Sequence, residues 1–140
     1  MSEESTTPDL AERTRQAFGV VSQHDLDALL SFYAPGAVLD LSDVGLGTFE
    51  GVAAMGALFE DWWNTWADHL IEAEEIVDLG CGVVFARVRD DGRLVGSDGH
   101  VKHRRGFVLA WAQGMIERQV VYLDIDEARA AAERVAESRE

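Results

Sequence analysis

Residues 101–124 alternate in a way that an antiparallel β-ribbon explains. Val101, His103, Arg105, Phe107, Leu109 and Trp111 fall on one side of an extended segment, and Lys102, Arg104, Val108 and Ala110 on the other. Gln113-Gly114 turns the chain, and Met115 to Asp124 returns as the partner strand. Upstream, Met55, Phe59, Trp62 and Trp66 follow at spacings of four, three and four, the stripe of a helix facing that sheet. Ordinary core packing accounts for any one of these rings. With Trp63 added, the indoles exceed what a simple core uses, and the wall of a cavity for an apolar ligand accounts for the group.

The 140 residues predict one domain, spanning 8–138, with a disordered N-terminus over 1–7. Lys+Arg 12 against Asp+Glu 26 gives a net charge of −14, which repels nucleic acid and anionic membrane alike. Neither is expected as a partner. Cys81 stands alone, so no internal disulfide can form, and a reducing compartment suits it. No histidine beside it activates the thiol. The acidic, polar start is no signal peptide, and no apolar run approaches the roughly 20 residues a membrane span takes. The expected location is the cytoplasm.

Along the chain, Thr7 caps a helix with Pro8 at its first position, and Leu10, Arg13 or Thr14, Ala17, Phe18 and Val21 give its 3.6-residue stripe to about Gln23. Asp25 starts a second, short helix through Leu29, Leu30 and Tyr33 that Pro35-Gly36 ends. A strand at 37–41 and a glycine-rich loop lead into a third helix at 52–67. Strands at 70–77 and 82–89, a mobile hairpin tip flanked by Asp90-Asp91-Gly92 and Gly96-Ser97-Asp98-Gly99, the long ribbon and a helix at 126–138 complete the order. This is an α+β layout with helices on one side of an antiparallel meander.

Few residues carry chemistry. His100 and His103 point to opposite faces of a strand, while His24 and His69 stand apart, so no metal site is expected and no cofactor is implied. Gly45, Gly47 and Gly51 lack the Lys-Ser/Thr of a phosphate loop. Arg105, on the Phe107 face, can hold a carboxylate or enolate, whereas Lys102 and Arg104 face solvent or a subunit contact. Arg87 and Arg89 share a face with Val83 and Phe85, and Glu72, Glu74 or Glu75 can pair with them. Asp40, at a strand end, reads equally as a general base beside the cavity and as a solvated turn residue.

The segment from Asp25 to Val38 (Asp-Leu-Asp-Ala-Leu-Leu-Ser-Phe-Tyr-Ala-Pro-Gly-Ala-Val) resembles the second-helix-to-first-strand stretch of the nuclear-transport-factor-2-like superfamily, in its SnoaL-like branch. Gly47-Thr-Phe-Glu-Gly51, Glu74-Glu75-Ile-Val-Asp-Leu-Gly80 and Gly114 to Asp124 are similar to that branch in order and spacing. The resemblance implies a cone-shaped roll, a curved antiparallel sheet with helices packed on its concave side, homodimeric through the sheet and hollow between the two. It carries over no catalytic acid. The steroid isomerases' helix tyrosine falls at Ala17, their strand base at Leu41 and their protonated aspartate at Phe107. The cyclases' aspartate falls at Val121, and the Arg-x-Asp of epoxide hydrolases meets Arg87-Val88-Arg89. A one-residue shift brings Asp40 to the base position and turns its strand over.

The expected pocket is therefore lined by Phe18, Tyr33, Trp62, Trp66, Arg87, His103, Arg105, Phe107 and Gln119. The leading expectation is a protein that binds a small, partly hydrophobic molecule, with an acid or carbonyl facing Arg105. An isomerase, cyclase or hydrolase using Asp40 or His103 is one alternative; a non-catalytic dimerisation module is the other.

Overall fold

The computed structural model describes residues 9–140. The expected disorder of residues 1–7 and the Thr7-Pro8 cap lie outside them. Helix α1 (Leu10–Ser22) starts from Asp9, whose side chain accepts from the Glu12 amide, and buries Thr14, Ala17, Phe18 and Val21. Helix α2 (Leu26–Leu30) is capped in the same way by Asp25. Strand β1 (Tyr33–Leu41) follows at once. Pro35-Gly36 therefore lies inside β1, where the register against its neighbour breaks between Tyr33 and Val38, a place a residue without an N–H tolerates.

After β2 (Gly47–Glu50) comes α3 (Val52–Thr65), then four consecutive antiparallel strands: β3 (Trp66–Gly80), β4 (Val83–Leu94), β5 (His100–Ala112) and β6 (Met115–Tyr122). The two tight turns of this meander place Cys81-Gly82 and Gln113-Gly114 at positive φ, as a two-residue type I′ hairpin demands. Helix α4 (Ile125–Ser138) ends the chain, capped by Asp124.

The sheet differs from the expected one in three ways. Its order is β2-β1-β6-β5-β4-β3, with β2 and β3 as unjoined edges, so the sheet is open and the cone-shaped roll is overturned. It is mixed, because β1 runs parallel to β6 while every other pair is antiparallel. Helices cover both faces. Val84, Ala86, Val88, Phe107, Leu109 and Val121 form one core with α1, α2 and α3, and Val83, Phe85 and Val108 form a second with α4. Period-two alternation makes each strand apolar on both sides, and such a sheet must be covered twice. An expectation of helices on one side alone could not bury Phe85.

Two local readings are also corrected. Trp66 caps α3 in an extended conformation and opens β3, so it leaves the helical stripe of Met55, Phe59 and Trp62. Asp90-Asp91-Gly92, expected to flank the hairpin tip beyond a strand ending at Arg89, continues β4 and pairs with Ile71, Leu70 and His69.

Candidate functional site

A cavity of about 100 Å³ lies between α1, α2 and α3 and the face of the sheet that they cover. Its walls are aliphatic and aromatic: Phe18 and Val21 from α1, Leu58, Phe59 and Trp62 from α3, and Leu39, Phe107 and Val121 from the strands. Phe18 meets Phe107 edge to face at 5.4 Å between ring centres, an arrangement that fixes both rings. Leu46, exposed, stands at the rim. The volume is of the order of apolar cavities that admit a single aromatic ring (~150 Å³).

Three polar side chains interrupt the apolar wall: Tyr33, Gln119 and Arg105. Among the described residues Arg105 is the one charged group that lines the cavity. Its guanidinium is held from behind. The Nη2 group donates to Asp90, a residue with 0% exposure on β4, while the arginine itself lies over the Phe107 ring at 5.7 Å. His69 Nε2 donates to the other Asp90 oxygen at 3.0 Å, and His103 Nε2 lies 3.3 Å from the oxygen that Arg105 holds.

Strand register explains why these four groups meet. Arg105 pairs with Val88, His103 pairs with Asp90, and Ile71 pairs with Asp90 from the other side, so the whole set points to the cavity face. Gly92 completes the corner. A Cβ there would lie 3.0 Å from the Trp66 ring and 2.4 Å from the Asp68 carbonyl oxygen, so only a glycine lets the indole close over His69. Trp66 stacks on the His69 imidazole at 4.4 Å and Trp62 meets it edge-on at 4.7 Å.

Burial alone would raise the Asp90 pKa, but the His69 hydrogen bond and the Arg105 charge outweigh it and hold the carboxyl below its ordinary value. Asp90 is thus a buried carboxylate, and with Arg105 it forms a pair of no net charge. His69 Nδ1 is buried without a partner, as is Arg105 Nε. A buried ring nitrogen with nothing to accept from or donate to is costly, and such groups occur where chemistry or a ligand needs them.

Among the residues expected at the site, Phe18, Tyr33, Trp62, Arg105, Phe107 and Gln119 line the cavity. Trp66 stands behind His69. His103 lies at the edge of the Asp90 cluster with its side chain 46% exposed. Arg87 points to the opposite face, 3.7 Å from Glu74, in a ladder with Glu74–Arg104 and Glu72–Arg89. Asp40 does not line the cavity. Its carboxylate accepts from the Ser42 hydroxyl at 2.6 Å, the Ser42 amide and Arg118, and those bonds, led by the Ser42 hydroxyl, hold its pKa below the usual range.

Sequence reasoning passed over Asp90 and His69. The signal for Asp90 was the continuation of the alternating series Val84, Ala86, Val88 by one more inward position. Among the described residues no group of three or more His, Cys, Asp or Glu side chains is placed to hold a metal.

Solved structures with this fold are numerous. A nuclear-transport-factor-2-like protein of unknown function from Burkholderia pseudomallei superposes with a TM-score of 0.73 at 17% identity, over 86% of this chain and 95% of its own. SalBIII, an epoxide hydrolase/cyclase-like enzyme of pyran ring formation in the polyether salinomycin, gives 0.70 at 18%, over 90% and 96%. A protein with a ketosteroid isomerase-like fold from Catenulispora acidiphila gives 0.70 at 13%, over 90% and 93%. Identities this low carry the fold and no chemistry. No curated protein sequence matches the chain significantly. A family profile described as the SnoaL-like domain matches residues 14–119, and the chain belongs to that family.

Proposed function

We propose that the protein binds a small, mostly apolar molecule in this cavity, with a carboxylate or carbonyl oxygen of the ligand facing Arg105. The observation that carries this reading is a lone guanidinium in an otherwise greasy wall, fixed by a buried carboxylate behind it. Desolvated surroundings strengthen a hydrogen bond to such a donor, and the Asp90 pairing pre-orients it. Benzoate is a suitable first probe. It should raise the melting temperature of the wild type, and Arg105→Ala should erase that rise measured from the variant's own baseline. An unchanged rise refutes the role of Arg105.

Acid–base turnover is the second reading, and the convergence of His69 and His103 on Asp90 behind Arg105 is what favours it. A base held and oriented by a carboxylate is the arrangement proton abstraction next to a carbonyl uses. His103, on the same carboxylate, is the alternative acid–base group; Asp40, consumed by its turn, is the weaker one. Acetophenone in D₂O would exchange its methyl protons faster with the protein than with buffer, and His69→Gln or His103→Gln would identify the base. Exchange at the buffer rate removes this reading.

A homodimer through the sheet belongs with these proposals. The ladder of Glu72, Glu74, Arg87, Arg89 and Arg104, on the face that carries α4, offers alternating charges for it. A monomer mass by light scattering at micromolar concentration would overturn that assignment.

A further inference from the structure

The cavity presents a second polar station that Arg105 does not serve. Tyr33 and Gln119, 5% and 6% exposed, both line it, and the Tyr33 hydroxyl donates to Gln119 Oε1 at 2.7 Å. That bond occupies the amide oxygen. The amide NH₂ is left with no partner among the described residues, on a side chain that borders empty space. An amide on a side chain this little exposed, open only towards the cavity, favours a ligand acceptor for its N–H groups. Burial holds the Tyr33 phenol above its ordinary pKa, so the hydroxyl keeps its proton and the station stays neutral.

Register sets the distance between the two stations. Gln119 lies across from Leu109, and Arg105 stands four residues before Leu109 on the same strand and face. Four residues of strand span roughly 13 Å between backbones, and the side chains shorten the gap. Phe107, Leu109, Leu39 and Val121 line the cavity alongside them, and none offers a side-chain polar atom.

We propose that the ligand is an acceptor at both ends: an apolar ring or short chain bearing a carboxylate that meets Arg105 and, at its far end, a carbonyl or ester oxygen that meets the Gln119 amide. Keto acids built on one ring are the smallest members of this class. The assignment rests on the reading that an acceptor of the ligand faces Arg105. A Gln119 that merely braces Tyr33 would be indifferent to the far substituent.

Titration calorimetry with 4-acetylbenzoate and 4-isopropylbenzoate separates the two. These probes differ by a carbonyl oxygen in place of a methyl of similar shape. The wild type should prefer the acetyl compound about tenfold, the weight of one buried hydrogen bond. The double variant Tyr33→Phe/Gln119→Met removes both partners together, leaves no orphan hydroxyl, and should bind the two probes equally. Gln119→Glu, which exchanges donor for acceptor, should reverse the preference and serves if the double variant does not fold. Arg105→Met should weaken both probes alike and keep the preference, so loss of the Arg105 role and loss of the Gln119 role are read separately. Equal affinities in the wild type, a preference that survives the double variant, or binding of neither probe overturns the proposal. Benzoate binding with no acetyl preference overturns it while leaving the Arg105 reading intact.

Discussion

Against α4 the sheet presents Val83, Phe85 and Val108, and the helix answers with Ala128, Ala131, Ala132 and Ala136. Against α1, α2 and α3 it presents Phe107, Leu109 and Trp111, and the helices answer with Phe18, Leu29, Met55 and Trp63. Small residues on α4 let its backbone come close: at Gly106 an added Cβ would lie 2.3 Å from the Ala128 Cβ. Large side chains on the other face hold the helices off, and their irregular shapes leave the cavity open between them. One set of strands thus supports a solid layer and a hollow one. Close packing depends on how finely a surface can interlock, and bulky rings on both partners interlock less finely than alanine against a flat sheet.

Five variants and one titration test that contrast, beginning with the greatest loss. Asp90→Ala leaves Arg105 largely buried without its counter-charge and should cost about 3–5 kcal/mol by urea denaturation. A cost of less than about 1 kcal/mol would mean that solvent, not Asp90, satisfies the guanidinium. Phe85→Ala, in the solid layer, should cost about 3–5 kcal/mol because nothing near it can collapse into the gap. Phe59→Ala, half-buried on the cavity wall, should cost about half as much by the same area argument. Equal losses at the two phenylalanines would erase the distinction between the faces.

Gly106→Ala inserts one methyl into the tight layer and should cost about 1–3 kcal/mol, with α4 displaced. In acid, the Asp90 carboxylate contributes stability that is complete above its unfolded value of 3.8 and is lost as pH falls through its lower folded value. Melting temperatures of the wild type should therefore drop more steeply below pH 3.8 than those of Asp90→Asn. Val121→Ile, a methylene added where the wall is already open, should change stability by less than about 1 kcal/mol while weakening benzoate. A large loss there would show the cavity to be full.

The antiparallel hairpins, the helix start at Asp25 and the apolar stripe of α1 were legible because each depends on neighbours within a few residues. The pairing of β1 with β6 was not, since nothing local in Val38–Asp40 names Arg118–Val120 as its partner across the chain. Two-sided covering of the sheet could have been read from Val83 and Phe85, which alternate with Val84 and Ala86 and are equally apolar. Trp62, Arg105 and Phe107 share their faces by periodicity, whereas Gln119 entered the expected pocket only with the resemblance, and all four border the cavity. Asp90 was not legible, because Asp-Asp-Gly is turn chemistry in isolation. Tertiary pairing with β3 and the room that Gly92 leaves for Trp66 turned that tripeptide into strand.

The union of β1 with β6 also fixes an order of events during synthesis. At about 5–20 residues per second the ribosome releases β1 several seconds before its only long-range strand partner exists. The hairpins of β3 through β5 can close among themselves in that time, because their turns span only a few residues. Helix α1 can dock on β3 as soon as that strand emerges, while β1 must wait, paired only with β2, until β6 arrives. Truncations that stop short of Met115 should accordingly retain the paired β3, β4 and β5 but leave β1 open to protease.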